Sequence, residues 1–268
     1  MNRKIAVIGV GNMAQAIISG IVSSSACVDK FFLYDKNTAV YEKYVGQDGF
    51  CVADSVEDAV RDADCVLLSV KPQNYPEVLE CIRGVDGHNE KLYISIAAGI
   101  TSESVSASLG NAVVIRVLPN LPMTVGYGVS AICRNPLASK DDFDFVEAVF
   151  ASAGSTIIID ESEMNRIIGV TSSSPAYVFK FIDSICKGAE AQGLNGKELI
   201  DAVCDVVIGS AMLLKTSADS PSELISRVAS KGGTTEQALL KLDEGSFEEV
   251  IKKAMIACTL RADELGKR

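Results

Sequence analysis

The sequence predicts an α/β protein in which a doubly wound, mostly parallel sheet is followed by an all-α C-terminal region. Two observations predict this class. Up to residue 159, short apolar runs rich in β-branched residues alternate with stretches of helical composition, as in βαβ units. From residue 161 onward these runs stop, and long patterns with helical periodicity replace them. The change of pattern predicts two domains, covering residues 1–160 and 161–268.

The first domain contains eight predicted strands, each followed by turn residues or by a helical stretch. They span residues 4–9, 31–35, 51–53, 65–70, 92–97, 113–118, 129–134 and 156–159. The second domain contains five predicted helices, in which apolar residues recur every three or four positions. They span residues 175–192, 196–214, 222–229, 234–242 and 246–265. Residues 160–163 join the two patterns and are a candidate hinge.

Two of these helices carry more apolar surface than one neighbouring element can cover. In the first, Tyr177, Phe181, Ile185 and Ala189 recur at four-residue spacing, and further apolar residues flank them. The second, residues 199–214, is apolar on most of its faces. Apolar surface of this extent is typical of a subunit interface. We therefore expect a homo-oligomer, as a dimer or a multiple of dimers.

Composition and charge narrow the function classes. The net charge of −10 and an isoelectric point near 4.7 disfavour nucleic acid as a partner, because its binding requires a basic surface. The most apolar run, residues 206–214, is far shorter than the roughly 20 residues of a membrane-spanning helix. Eight cysteines without a Cys-x-x-Cys pair indicate free thiols in a reducing compartment. Since the N-terminus also lacks the pattern of a signal peptide, we expect a cytoplasmic protein with no membrane partner.

A glycine-rich turn follows the first predicted strand. Residues 9–14 read Gly-Val-Gly-Asn-Met-Ala, which is the G-x-G-x-x-A spacing, and they open the first helical stretch. Gly9 permits a tight turn, Gly11 lets a pyrophosphate approach the backbone, and Ala14 lets the helix pack closely on the strand. The helix N-terminus adds N–H donors and a favourable dipole. This context predicts a Rossmann-type dinucleotide site contacted by Ile8, Gly9, Val10, Gly11, Asn12, Met13 and Ala14.

Asp35 ends the second predicted strand, 21 residues after Ala14, where a carboxylate that binds a ribose is expected. Such a carboxylate accepts hydrogen bonds from the ribose hydroxyls of NADH and repels the 2′-phosphate of NADPH. The adjacent Lys36 has the opposite effect, since its charge attracts a phosphate. The prediction is an NAD(P)H cofactor with a preference for NADH.

The chain has a single histidine, His88, in a polar loop, so neither a histidine triad nor a histidine-based zinc cluster is available. This composition disfavours dehydrogenases that use histidine as a general acid or base, and it favours a substrate that needs little proton transfer. An imine meets that description, and no metal is required.

One C-terminal segment carries a long motif. Residues 221–243 read PSELISRVASKGGTTEQALLKLD, and this run resembles the signature of the pyrroline-5-carboxylate reductases, which reduce a cyclic imine to proline. Further blocks follow in the order of that family at residues 9–14, 69–72, 97–99, 116–122, 125–126 and 174–177. The resemblance covers essentially the whole chain and implies reduction of 1-pyrroline-5-carboxylate by NAD(P)H.

The physical chemistry of the motif agrees with a carboxylate site. Gly232 and Gly233 precede a predicted helix and expose N–H groups that can hold an anion, and Thr234 or Thr235 can cap that helix. Without the resemblance, the pattern favours an ordinary helix cap followed by a surface helix over a binding site. The resemblance implies that the substrate is bound by Ser230, Gly232, Gly233, Thr234 and Thr235, and that the Thr235 hydroxyl acts catalytically by donating a hydrogen bond to the imine nitrogen.

The resemblance also implies further cofactor contacts at the ends of the fourth and fifth strands and in a later turn. These contacts fall on Ser69, Val70, Lys71, Pro72, Ala97, Ala98 and Asn120. The residues alone leave other interpretations open: a strand ended by proline beside a solvated lysine, small residues chosen for packing, and an asparagine that stabilises a turn.

The chain departs from the family pattern at Leu121, where threonine is usual, at Lys231, where proline commonly precedes Gly-Gly, and at Ser172 and Ser173, in a stretch usually richer in glycine. None of these changes removes a proposed hydrogen-bond donor. Two other functions remain open. A related imine or β-hydroxyacid reductase needs a lysine or aspartate from the long helix, for which Lys180 and Asp183 are the candidates. A nucleotide-sensing protein needs only the glycine turn.

Overall fold

The computed structural model describes residues 3–24, 28–133 and 135–266. Its contacts divide the chain into two compact units, residues 1–173 with 255–268 and residues 174–254. The last helix of the chain crosses from the second unit into the first. The domain boundary that the sequence predicts at residue 160 stays a prediction.

The first unit is built on a single eight-stranded sheet. Its strands are β1 Arg3–Ile8, β2 Val28–Tyr34, β3 Phe50–Val52, β4 Cys65–Leu68, β5 Leu92–Ser95, β6 Val113–Leu118, β7 Gly128–Cys133 and β8 Gly154–Ile159. They lie in the order β3-β2-β1-β4-β5-β6-β7-β8, and every neighbouring pair is parallel except the antiparallel pair β6 and β7. The predicted α/β class and its mostly parallel sheet are confirmed. The last residue predicted for β7, Arg134, lies outside the described residues.

Helices cover both faces of the sheet. The helices are α1 Asn12–Ser24, α2 Val56–Arg61, α3 Tyr75–Arg83, α4 Ser102–Ser108 and α5 Lys140–Ala151. Side chains alternate along β1, so that Ile5 and Val7 join the core under α1 and α5, whereas Ala6 and Ile8 join the core under α2, α3 and α4. Because both faces are buried, the central strands β1, β4, β5 and β6 are mostly apolar rather than alternating with polar residues.

The order of the strands locates the ligand crevice. The chain runs outward from β1 to β2 and β3, and then returns to place β4 on the other side of β1. In open α/β sheets, ligands bind beyond the carboxyl ends of the strands where the order reverses. The turns after β1, β2 and β4 therefore meet at one edge of the sheet.

A short helical stretch follows β8. It consists of helix α6, Met164–Ile167, and a π-helical turn, Ile168–Ser172, which the sequence patterns did not predict. π-helical turns leave backbone carbonyls without their usual helical partners and are frequent at functional sites. Here the carbonyl of Thr171 accepts a hydrogen bond from Asn120.

The second unit is helical, as predicted. It contains α7 Ser174–Glu190, α8 Glu198–Thr216, α9 Pro221–Val228, α10 Thr234–Glu244 and the first part of α11 Phe247–Gly266. Few of its side chains are buried within the single chain. Large apolar side chains are instead exposed on α7 and α8, including Phe179, Val206, Ile208 and Met212, which are 53–63% exposed. These helices thus carry the uncovered apolar surface that the sequence predicts for an oligomer.

Two whole-chain properties bear on the sequence predictions. Among the residues that the structure describes, no helix combines the length and the apolar character needed to cross a membrane. The described cysteines are free thiols, and Cys27 lies outside the described residues. Burial raises the pKa of the Cys65 thiol to about 12, so this side chain stays protonated and packs as an apolar group.

Candidate functional site

The glycine-rich turn lies between β1 and α1, as predicted. Gly9 has φ of +92°, and a Cβ there would lie 2.9 Å from the backbone nitrogen of Val70, so no other residue fits without a shift of the turn. A Cβ on Gly11 would meet no atom within 4 Å, which leaves open space beside the backbone. Ala14 is buried against the sheet. The turn therefore has the close packing and the free approach that a pyrophosphate requires.

Asp35 follows β2 and bonds directly to this turn. Its Oδ2 accepts a hydrogen bond from the Val10 N–H at 2.7 Å, and its Oδ1 accepts one from the Asn37 N–H at 2.9 Å. The carboxylate thus holds the glycine turn and the start of the next loop together. A ribose contact by Asp35 requires the remaining lone pairs of these oxygens and stays a prediction.

A cavity of about 280 Å³ opens at this edge of the sheet. Seven residues predicted from the sequence line it: Ile8, Gly9, Gly11, Asp35, Ser69, Val70 and Lys71. Lys36, which the sequence places beside Asp35, also lines it, and sequence reasoning missed eight others: Tyr34, Ser55, Val56, Glu57, Asn74, Glu77, Val78 and Cys81. One signal in the sequence points to the first turn of α2, because Ser55, the N-cap of that helix, lies three residues after the end of β3. The cavity and the N–H groups of the turn fit part of a dinucleotide.

The rim of the cavity is rich in charged groups. Lys36 Nζ lies 2.7 Å from Glu77 Oε2, and both side chains are well exposed. The hydrogen bond to Glu77 raises the pKa of Lys36, so the lysine remains fully charged. Burial together with the nearby Glu57 carboxylate raises the pKa of the Cys81 thiol. With Asp35, three carboxylates face two lysines in this cavity, and one of the lysines is already paired.

The loop after β4 is attached to the glycine turn. Ser69 Oγ lies 2.5 Å from the Gly9 carbonyl oxygen, to which it donates. Lys71 lines the cavity, whereas Pro72 begins a 3₁₀ turn and lines a second, separate pocket in the same unit. The serine thus ties the loops after β1 and β4 together, and its own contact with a cofactor stays a prediction.

Seven other predicted cofactor residues are not among those that line this cavity: Val10, Asn12, Met13, Ala14, Ala97, Ala98 and Asn120. The first four belong to the turn itself and to the first turn of α1. Ala97 is buried and Ala98 is half-buried in the loop after β5. The next residue, Gly99, lies so close to α11 that a Cβ would be 2.9 Å from the Ala262 carbonyl oxygen. The end of α11 therefore supports the loop that carries the two alanines.

Asn120 is buried, and its amide bonds to the backbone on both sides. Its Nδ2 donates to the Thr171 carbonyl at 3.0 Å, and its Oδ1 accepts from the Val129 N–H at 2.8 Å. The side chain thereby joins β7 to the π-helical turn. One hydrogen on Nδ2 remains, so a contact with a nicotinamide also stays a prediction.

The predicted substrate loop lies in the second unit, immediately before α10. Gly232 has φ of +72°, and Gly233 is the N-cap of α10 without a side-chain cap. A Cβ on Gly233 would lie 2.6 Å from Ser230 Oγ, so the serine hydroxyl can approach only because a glycine stands there. Among the residues that the structure describes, none forms a hydrogen bond with the hydroxyl of Thr235. The loop thus brings a serine, two glycines and the two threonines together at one helix start.

The two glycine N–H groups of this loop already have acceptors. The Gly233 N–H donates to the Ser230 carbonyl at 2.9 Å, and the Gly232 N–H donates to Glu236 Oε2 at 2.8 Å. Sequence reasoning missed Glu236. Its position, three residues after the N-cap, is the spacing at which a glutamate side chain reaches back over a helix start.

The residues that an alternative mechanism would use lie elsewhere on the second unit. Lys180 and Asp183 are exposed on α7, and Asp183 forms an ion pair with Lys187 at 2.6 Å. This is an ordinary i, i+4 pair on a helix surface. It gives Asp183 a structural explanation that involves no substrate.

Comparisons with known proteins agree along the whole chain. Residues 161–265 match the family described as pyrroline-5-carboxylate reductase dimerisation, and residues 4–99 match the family described as NADP oxidoreductase, coenzyme F420-dependent. Pyrroline-5-carboxylate reductase of Escherichia coli (strain K12) is 31% identical, with all of both chains covered. The enzyme of Aquifex aeolicus is 31% identical, with 100% of this chain and 98% of the relative covered.

Two solved structures extend the likeness to the fold. 1-Pyrroline-5-carboxylate reductase of Streptococcus pyogenes has a TM-score of 0.89 at 28% identity, covering 98% of this chain and 99% of the other. Pyrroline carboxylate reductase of Plasmodium falciparum, solved with NADP bound, has a TM-score of 0.87 at 25% identity, covering 99% and 98%.

Proposed function

This chain belongs to the pyrroline-5-carboxylate reductase family, and from that premise we propose that it reduces the C=N bond of 1-pyrroline-5-carboxylate with NAD(P)H to give L-proline. The observation that carries the proposal is the loop of residues 230–235, where amides, a serine and a free threonine hydroxyl meet at the start of α10. An anionic cyclic imine offers the matching groups, which are a carboxylate for the amides and a ring nitrogen for the hydroxyl.

The cofactor is a nicotinamide nucleotide, which supplies the hydride when bound. The residues of the first unit that we assign to it are those of the glycine turn, 8–14, with Asp35, the loop 69–72, Ala97, Ala98 and Asn120. The open space at Gly11 and the N–H groups of α1 support the position of the pyrophosphate. Ser69 and Asp35 both hold the glycine turn in place, so the binding groups are ordered before the cofactor arrives.

We assign the substrate carboxylate to Ser230, Gly232, Gly233 and Thr234, and the imine nitrogen to Thr235. The Thr235 hydroxyl donates a hydrogen bond at the nitrogen, which polarises the C=N bond while that nitrogen gains its proton. Most of the rate acceleration then comes from positioning, which contributes roughly 7–11 kcal/mol at best for well-oriented reactants. Thr235 is the catalytic residue in this scheme.

For the nucleotide we propose a preference for NADH. Asp35, Glu57 and Glu77 surround the cavity, and the positive charge of Lys36 is compensated by Glu77. A 2′-phosphate placed there meets net negative charge, whereas ribose hydroxyls find acceptors. The Plasmodium falciparum relative was solved with NADP, so the two nucleotides must be compared directly in this chain.

Self-association follows from the match of residues 161–265 to a dimerisation family and from the exposed apolar side chains of α7 and α8. We propose a homodimer or a multiple of dimers. In this proposal residues 1–160 bind the dinucleotide, and residues 161–268 bind the substrate and form the interface. The free thiols support a reducing compartment such as the cytoplasm.

Steady-state oxidation of NADH and NADPH with 1-pyrroline-5-carboxylate tests the function. We expect turnover with this imine and a higher kcat/KM with NADH. Reduction of NAD(P)+ by a β-hydroxyacid, without oxidation of NAD(P)H by the imine, would contradict the proposed substrate, and a preference for NADPH would contradict the role of Asp35.

A pair of substitutions tests the catalytic residue. Thr235→Val keeps the shape of the side chain and removes its hydroxyl, whereas Thr235→Ser keeps the hydroxyl. We expect the first variant to lose roughly 10²–10³-fold in kcat, as for the loss of one donor in an oxyanion hole, and the second to retain most activity. Equal rates for the two variants would remove the hydroxyl from the mechanism.

A further inference from the structure

The side chain of Glu236 brings a carboxylate to the loop in which the substrate carboxylate is expected. Glu236 Oε2 accepts a hydrogen bond from the Gly232 N–H at 2.8 Å. The neighbouring Gly233 N–H is bonded to the Ser230 carbonyl at 2.9 Å, within the loop itself. Of the two glycine N–H groups, that of Gly232 is therefore the one on which a substrate carboxylate could replace another carboxylate. The carboxylate that it would replace is the side chain of Glu236.

This contact differs from the helix caps elsewhere in the chain. At the start of α9, Glu223 accepts from the N–H of the N-cap residue Ser220 at 2.7 Å, in an ordinary capping box. In α10 the N-cap is Gly233, and the glutamate bonds instead to the residue before it. The Glu236 carboxylate thus lies at the left-handed Gly232, in the middle of the loop.

The charge of the loop agrees with an exchange of carboxylates. Lys231 is exposed next to Gly232, and its ammonium group forms no ion pair with any residue of the described ranges. An incoming anion is therefore attracted by the Lys231 ammonium group, but the Glu236 carboxylate occupies the Gly232 N–H group. Only one of two carboxylates can hold the Gly232 N–H, and two carboxylates close together repel each other.

We propose that Glu236 sets the affinity for the substrate by competing with the substrate carboxylate for the Gly232 N–H. The inference rests on the proposed function, because it takes the loop of residues 230–235 as the carboxylate site. In the free enzyme the glutamate closes the loop, and substrate binding requires the glutamate to turn away toward solvent. The apparent affinity is then the intrinsic affinity reduced by the fraction of molecules in which the loop is open.

The test is the variant Glu236→Gln. Its side chain keeps the size of glutamate, but a neutral amide oxygen accepts a weaker hydrogen bond than a carboxylate does. If the loop is open in about 10–30% of the wild-type molecules, the KM for 1-pyrroline-5-carboxylate falls about 3- to 10-fold in the variant. The KM for the nucleotide stays unchanged. The KM for 1-pyrroline, which is the same ring without its carboxylate, stays unchanged in the variant because this compound does not bind the Gly232 N–H group.

The matched control is Glu223→Gln, which removes the charge of a capping carboxylate outside the loop. We expect it to leave both KM values unchanged, and thermal unfolding of both variants reports any loss of helix stability. An unchanged or higher KM for 1-pyrroline-5-carboxylate in Glu236→Gln would overturn the proposal, as would an equal fall for 1-pyrroline, since Glu236 would then act only on the helix. If the wild-type protein reduces neither imine, the proposed function itself is wrong and the inference is lost with it.

Discussion

An ion pair inside the first unit supports a quantitative prediction. Arg116 on β6 donates from Nη1 to Glu161 at 2.7 Å and from Nη2 to Asn165 at 2.9 Å. The arginine side chain is 1% exposed, whereas the glutamate side chain is 33% exposed. Because of this asymmetry, we predict that Glu161→Gln destabilises the protein more than Arg116→Met, although each substitution breaks the same pair.

The magnitude depends on which charge is left behind. Removal of one partner of a buried pair costs about 3–5 kcal/mol, because the other charge stays buried without compensation. Glu161→Gln leaves the Arg116 charge buried without its ion-pair partner, although Asn165 still accepts one hydrogen bond from it. We therefore expect this variant to lose about 3 kcal/mol in the free energy of unfolding. Arg116→Met leaves a carboxylate that water can reach and that still accepts from Ser102 at 2.8 Å. For this variant we expect about 1–2 kcal/mol.

Thermal unfolding followed by circular dichroism measures the difference. A loss of 3 kcal/mol corresponds to a fall in Tm of about 6–12 °C for a chain of this size. The control is Arg61→Met, which breaks an exposed pair with Asp58 and should change stability by less than about 0.5 kcal/mol. A larger loss of stability in Arg116→Met than in Glu161→Gln would refute the reasoning.

Three further predictions concern the first unit. Gly9→Ala forces a positive φ on a side chain whose Cβ lies 2.9 Å from the Val70 nitrogen, at a cost of about 1–2 kcal/mol, so NADH affinity should fall about tenfold. The Kd for NADH can be measured from the fluorescence of the bound nucleotide, because the chain has no tryptophan whose fluorescence would interfere. An unchanged Kd would be evidence against the tight turn. Glu77→Gln removes the ion-pair partner of Lys36, so the lysine charge becomes available to a 2′-phosphate. The KM for NADPH should then fall up to about fivefold relative to the KM for NADH. If the ratio of the two KM values stays constant, Lys36 does not contact the 2′-position. Burial raises the pKa of Glu161, but hydrogen bonds from a guanidinium and a hydroxyl outweigh it, and the net pKa is lowered. The stability that this carboxylate contributes is thus complete above about pH 4.3 and is lost as the pH falls through the lowered value. Urea midpoints should therefore fall more steeply in acid for the wild type than for Glu161→Gln, and parallel profiles would contradict the assignment.

The strands and the nucleotide-binding turn were predictable because their signals are local. An apolar run followed by Gly9, Gly11 and Ala14 predicts a strand, a turn and a helix without reference to the rest of the chain. Asp35 was predictable for a related reason. β1 and β2 are parallel neighbours, so the residue that follows β2 must lie beside the turn that follows β1, and the 2.7 Å contact between Asp35 and Val10 agrees.

The partners of buried and cavity side chains were not predictable in this way. Glu57 and Glu77 enter the nucleotide cavity from α2 and α3, and no spacing in the sequence relates them to Asp35. Asn120 has the composition of a turn residue, yet its amide joins two distant segments of backbone. Each of these contacts depends on how helices pack across the sheet.

The sequence by itself determined the class of fold, the position of the glycine turn and the loop before α10, because periodicity, turn chemistry and motif spacing act over a few residues. Only the tertiary structure decided the strand order, the antiparallel β7, the burial of Arg116 against Glu161 and the carboxylate that Glu236 places on the Gly232 amide. These features are set by distances between groups in space, and hydrophobic patterning specifies which face of an element is buried but not which polar group it meets there.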